Sequence, residues 1–498
     1  MSRGQREGVL VSAHCRLTDE QVKLIDGMSR DLLEDPGLLC YSPDAAEIFR
    51  SAGARIEDAD DCVRVRLSSS IVDRALASAP STVVLGARNP DNRLILDAHE
   101  PRVRFGSGSE SNVWLEVAFN GKVPQFARRP GTVRRLADSA HLAENLEHLD
   151  FFIRNVNIQD DQVTEANKDV NKLLACLNNT TKHVQAGLTS LEALDDVVRM
   201  GQIIAGGEAA LEQNSLFSFI TCVIKSPLQM VRDTAATLIE ISKRRIPVVV
   251  SSCPMGGTTA PFDELGMVAQ INAELLAGVV LNQLVAPGAP VLYGACPIRT
   301  RLDNLNDMYG AAEAVHYSVD CAQLARLYGL PYYASAGVGD SSLPGIQATA
   351  EKMLTLLAVP QSGAQYVHYA FGLLERTNVF CPEQAILDDA HIGLIKETLR
   401  CPRIASDGRQ DTLSTVREVM QSSHKTYMYH MPLPSRQSVY THYPLENEAG
   451  ALYAAHQRYH KILEVPREAM PSEIQKDIRR EIPNILPQAM RQSACVEA

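Results

Sequence analysis

The 498-residue chain has eleven cysteines, an odd number, scattered without a single C-x-x-C pair. That excludes a paired disulfide framework and the usual spacing of a zinc knuckle. Long apolar runs are also missing. A membrane span needs ~18 uninterrupted apolar residues, and the longest stretches here, such as LLAGVVLN at 275–282, fall well short. The N-terminus, MSRGQREGVLVSAHCRLTDEQ, lacks the apolar core of a signal peptide. No G-x-G-x-x-G opens a helix after the first strand, and GVGDSSLPG at 337–345 fails that template, which argues against a dinucleotide fold. Positive charge is in deficit: the net charge of −11 argues against a nucleic-acid or anionic-membrane surface. These absences leave an expected cytoplasmic protein with reduced thiols, no nucleic acid and no membrane partner.

What is present is a packed globular composition, 45% hydrophobic, with a regular rhythm. Thr18 caps a helical segment TDEQVKLIDGMSRDLLED, and Ser42 with Pro43 starts a second one ending near Gly53. VRVRL (63–67) and RLILD (93–97) read as strands. From about residue 130, apolar strands recur, each followed by a loop and then a helix: LDFFIRNV (149–156), HVQAGLTS (183–190), LFSFITCV (216–223), IPVVVSSC (246–253), PVLYGAC (290–296), LPYYASAG (330–337) and AQYVHYAF (364–371). Helical stretches fall between them, as at 227–244 and 317–329. Such spacing predicts a parallel sheet with crossover helices, and seven visible units favour an eight-stranded α/β TIM (β/α)8 barrel over an open sheet. The expected division is an N-terminal mixed α/β extension over 1–130, a barrel core over 131–390 and a helical C-terminal appendage over 391–498. In such barrels the chemistry sits on the loops after the strands.

One loop-like stretch, FGSGSESNVW (105–114), places a single carboxylate, Glu110, among glycines and serines, between Phe105 and the only tryptophan, Trp114. Local composition admits either a solvated surface acid or a counter-ion aimed at a ligand.

Several blocks, in order, resemble the trimethylamine methyltransferase superfamily: LGARNPDNRL (85–94), FGSGSE (105–110), RRPGTVRRLADSAHLAENLEHLDF (128–151), PMGGTTAP (254–261), NAELLAGVVLNQLVAPGAPVLYG (272–294), AQLARLYGLP (322–331) and QATAEKMLTLL (347–357). The resemblance runs from about 20 to 400. It implies a TIM barrel that moves a methyl group from a methylated amine to cob(I)alamin, a corrinoid carried by a partner protein, with no bound metal. Founding members of that family carry pyrrolysine near the barrel centre; this chain has only standard residues. That departure points to the branch acting on quaternary amines such as glycine betaine. In that branch an acid and a histidine are associated with substrate, and the matching residues are Glu110 and His368, the latter taken as catalytic. Phe105, Trp114, Tyr293 and Tyr366 are the aromatic candidates for holding the cation, with Tyr369 beside them. Arg299 is a candidate clamp for a substrate carboxylate, or a partner of Asp303 and Asp307. Cys253 and Cys296 end consecutive strands, a weak pointer to metal. Two rival readings remain open: a zinc-dependent methyltransferase on the same barrel, and a betaine-binding barrel without methyl transfer. A homo-oligomer is expected.

Overall fold

A computed structural model describes residues 7–402, 404, 409–427, 448–468 and 470–490. The parts of the expected extension and appendage beyond these ranges lie outside the described residues. The chain builds a mixed α/β fold around a curled nine-stranded sheet. Eight of the nine strands run parallel, the short Val9–Leu10 being the antiparallel exception. In chain order the parallel strands are β1 (Arg102–Phe105), β2 (Phe152–Ile153), β3 (Val184–Ala186), β4 (Phe217–Thr221), β5 (Val248–Ser252), β6 (Val291–Ala295), β7 (Tyr332–Ser335) and β8 (Tyr366–His368).

Strands β2 to β8 pair consecutively, and β8 pairs with β1 through Tyr366–Arg104 and Val367–Phe105. The two ends of this order also meet: Gly106 bridges Phe151 in parallel, and the Asp150 N–H donates to the Phe105 carbonyl at 2.7 Å. All seven strands expected from the rhythm are present. The additional strand, β1, comes from the segment assigned to the N-terminal extension.

Side-chain alternation divides each strand between two faces. Phe151, Ile153, Val249, Leu292, Cys296, Tyr333 and Tyr366 form one cluster, into which the hairpin of Thr82–Leu85 and Leu94–Asp97 sends Val83, Leu85, Leu94 and Leu96. The other face, with Phe105, Phe152, Phe217, Val248, Val250 and Tyr293, joins the larger core shared with the helices. The helix Glu264–Val285 is apolar all round because it is enclosed on all sides, between β5, β6 and the N-terminal helices Asp19–Glu34 and Ser69–Ser78. It is long and apolar enough to cross a membrane, but 83% of that window is buried inside the protein.

Local signals set several boundaries. Thr18 and Gln21 form a reciprocal capping box, and Ser42 caps a helix with Pro43 in its first turn, as expected. The helix expected from 227 begins only at Arg232, because Gln229–Met230 instead pairs with Leu39–Cys40 in the N-terminal sheet. A long hairpin, Val113–Asn120 with Val123–Pro130, went unanticipated. It packs beside the helices Pro382–Leu399 and Glu448–Leu463.

Candidate active site

The ends of the parallel strands bring an electrostatic cluster and an aromatic–thiol cluster to one mouth. The first is built around Glu110. Its loop makes a left-handed turn at Ser109, φ 69°, a conformation uncommon outside glycine. Arg154, just after β2, donates from Nη2 to Glu110 Oε2 at 2.5 Å, and Lys168 Nζ stands 3.7 Å from Oε1. Glu110 and Arg154 are 26% and 10% exposed, so the pair is largely withdrawn from water. Burial opposes ionisation of Glu110, yet Arg154, Lys172 and Lys168 together hold its carboxyl below the ordinary value.

Lys168 and Lys172 lie four residues apart on the helix Glu165–Leu177, and so share one face. Lys172 is buried and bonded to Asp169 Oδ1 at 2.6 Å and to the Gly187 carbonyl at 2.7 Å. The other oxygen of Asp169 accepts from the Thr189 and Ser190 N–H groups. Glu110 is therefore a paired acid within a cationic cluster, rather than a lone one.

Tyr369 dominates the second group. It adopts φ 70°, a strained conformation for a bulky residue, and its N–H donates to the Ser107 carbonyl at 3.3 Å. Its ring meets His368 with centroids 3.7 Å apart and Tyr309 edge-on at 6.2 Å. Gly108 leaves room for that ring: a Cβ there would stand 2.6 Å from Tyr369 Cδ1. Asp340 fixes the backbone at Tyr309 and Gly310 by accepting both N–H groups, and Tyr309 lies within interaction range of Cys253. Cys222 and Cys253 reach solvent, yet desolvation by the surrounding protein pushes both thiols up. Arg154 and the thiols of Cys222, Cys253 and Cys296 all lie within electrostatic reach of Tyr369.

His368 lies beneath this layer, fully buried. Its Nε2 is 2.7 Å from Ser335 Oγ and 3.5 Å from Cys296 Sγ, its ring stacks on Tyr333 at 3.9 Å, and its Nδ1 has no hydrogen-bond partner. Burial drives its pKa well down, so the ring is neutral. Tyr366 shares that inward face, stacked on Phe151 at 3.6 Å.

The other expected residues are not brought to the mouth. Phe105 is buried on the helix side, beneath Lys396 at 5.7 Å. Tyr293 also points outward and donates to Asn272 Oδ1 at 2.8 Å. Trp114 belongs to the long hairpin, buried against Phe380 and Tyr459. Arg299 braces two loops, lying 3.5 Å over the Phe262 ring and donating to the Gly256 carbonyl at 3.2 Å. Cys253 and Cys296 share no ligand set: among the described residues, no group of three or more His, Cys, Asp or Glu is placed to hold a metal ion. Arg154, Lys168 and Tyr309 were not foreseen. A charge directly after the apolar run of β2 was the available signal for Arg154.

The fold and this mouth define an α/β protein with a polar, aromatic-lined recess at the ends of parallel strands. The chain belongs to the trimethylamine methyltransferase (MTTB) family, whose model matches residues 11–431, and it is a methyltransferase. It is similar to a trimethylamine methyltransferase of Desulfitobacterium hafniense (strain DSM 10664 / DCB-2), 32% identical over 77% of this chain and 74% of the relative. It is also similar to one of Methanosarcina barkeri (strain Fusaro / DSM 804), 29% identical over 77% and 76%. A glycine betaine methyltransferase of Desulfitobacterium hafniense (strain Y51) is 26% identical over 92% of this chain and 94% of the relative.

Proposed function

We propose that the chain is a closed TIM (β/α)8 barrel that removes one methyl group from a quaternary amine, glycine betaine or a close analogue, in favour of the corrinoid of a partner protein. The bridge between Gly106 and Phe151 supports closure of the sheet. One observation carries the substrate reading: the glycine betaine relative aligns over 92% of this chain, against 77% for the trimethylamine relatives named above. Glu110 adds to it, since a carboxylate in a partly dry recess suits a permanent cation.

The chemistry asks little of the barrel beyond binding. A quaternary nitrogen has no proton to lose, and its methyl carbon is open to displacement because the departing amine is neutral. The corrinoid, when the partner brings it, supplies the Co(I) nucleophile. The chain's own task is to hold the cation, aim one methyl outward and exclude water. Glu110 provides the opposite charge, and Tyr309 and Tyr369 provide ring faces worth ~0.5–2 kcal/mol each to a cation. Neutral His368 supports the Tyr369 ring from below, as a positioning residue. Phe262 and Leu302, exposed on neighbouring loops that follow β5 and β6, offer apolar contact for a partner.

The test is turnover. With free cob(I)alamin as acceptor, glycine betaine should yield the tertiary amine, measured by mass spectrometry. Tight binding of betaine with no demethylation under those conditions would leave a binding barrel instead.

A further inference from the structure

Resting on that betaine reading, we infer that Arg154 and Lys168 form an anion subsite for the carboxylate of a zwitterionic substrate, with Glu110 facing its ammonium. The site would then select zwitterions over simple quaternary cations.

Two of the charges near Glu110 are already committed. Asp169 is saturated by Lys172 and two backbone N–H groups, and Lys172 is held by Asp169 and the Gly187 carbonyl. The remaining three charges are incompletely used. Glu110 spends one oxygen on Arg154, while Oε1 is buried without a hydrogen-bond partner. Lys168 Nζ is 3.7 Å from that oxygen, too far for a hydrogen bond. Arg154 is buried, and its Nε has no partner. Buried donors and acceptors left without partners are costly, so such a set is unusual unless something else completes it.

The sum of charges then decides what that partner is. Arg154, Lys168 and Lys172 against Glu110 and Asp169 leave three positive charges to two negative ones, a surplus of one. A bare cation entering such a recess gains Glu110 but meets that surplus. A molecule carrying both signs matches it: its own carboxylate accepts from the guanidinium and the Lys168 ammonium, and its quaternary ammonium, with no N–H to donate, meets Glu110 through charge alone. Gly187 keeps a side chain away from this edge of the guanidinium, since a Cβ there would stand 3.1 Å from Arg154 Nη2. Tyr369 lies within the electrostatic reach of Arg154.

The experiment compares glycine betaine with choline, which keeps the trimethylammonium and replaces the carboxylate by an alcohol. Kinetics with cob(I)alamin and calorimetric binding are both run on the full chain and on Lys168→Gln and Arg154→Gln. The wild type should favour betaine over choline by at least about ten-fold in kcat/KM, a 1.4 kcal/mol preference. Each substitution should cut that ratio several-fold. Lys168→Gln, at the more exposed position, guards against loss of fold in Arg154→Gln. An unchanged ratio in folded Lys168→Gln, or a wild type that prefers choline, would overturn the subsite. Betaine binding that depends on Lys168 without any turnover would support the subsite while defeating methyl transfer. Neither binding nor turnover of either compound would defeat both.

Discussion

Replacing Glu110 by Gln keeps the shape of the side chain and removes only its charge. In the structure that carboxylate bonds Arg154 at 2.5 Å and stands 3.7 Å from Lys168. Removing one partner of a fully buried pair costs ~3–5 kcal/mol, whereas exposed pairs are worth ~0–1 kcal/mol. With the two side chains 26% and 10% exposed, the loss of stability should fall between, at about 2 kcal/mol. Substrate should feel the change separately. An ammonium deprived of its counter-ion in this recess should bind at least about ten-fold more weakly, corresponding to 1.4 kcal/mol. Michaelis kinetics for release of the tertiary amine, run beside thermal unfolding, separates the two effects. A lowered Tm with unchanged KM for the best substrate would refute the counter-ion role and leave Glu110 as a structural partner of Arg154.

Other outcomes follow from the same geometry. Gly108→Ala should displace the Tyr369 ring, because its Cβ would stand 2.6 Å from Cδ1; kcat/KM should fall with secondary structure retained, and wild-type kinetics would contradict the placement of Tyr369 over the mouth. His183 is buried between the Gly86 carbonyl and Ser218, and burial pulls its pKa down to about 4 from an ordinary 6.5. Below the ordinary value the unfolded chain takes up a proton that the native one refuses. Stability should therefore decline from that pH toward 4, by up to ~1.4 kcal/mol per pH unit from this residue. His183→Gln should flatten the slope of Tm against pH, and an unaltered slope would place the titration elsewhere. Activity should survive chelation and dialysis without stoichiometric zinc in the protein; chelator-sensitive turnover restored by zinc would favour the zinc-dependent alternative.

Much of the architecture was legible because it depends on local periodicity. The seven apolar runs appear as strands β2 to β8, and Thr18, Ser42 and Pro43 start helices where their capping chemistry requires. Strand β1 was hidden because RVRF carries arginines, one of which, Arg104, is buried in the sheet. The acid–histidine pair came from the resemblance, and alternation along β8 puts Tyr366 and His368 on one face. Alternation also has a limit. It fixes which side a residue faces only within a strand, and Tyr369 leaves the strand by a left-handed turn that returns its ring to the mouth. Phe105 and Tyr293 are strand residues too, but the curl of the sheet places their faces against helices. Arg154 and Lys168 were invisible as partners of Glu110 because the three residues meet only when β2 and its following helix are brought beside the Gly-rich loop.

The central claim is methyl transfer from a quaternary amine, and the most direct measurement is a substrate panel. Glycine betaine, carnitine, choline and trimethylamine would each be incubated with the purified chain and free cob(I)alamin, following loss of the cob(I)alamin absorbance and release of demethylated amine. The account predicts that betaines are demethylated in preference to trimethylamine, which has no carboxylate for Arg154 and Lys168 to meet. Turnover of trimethylamine at a rate equal to or above that of glycine betaine, or no turnover of any quaternary amine, would contradict it.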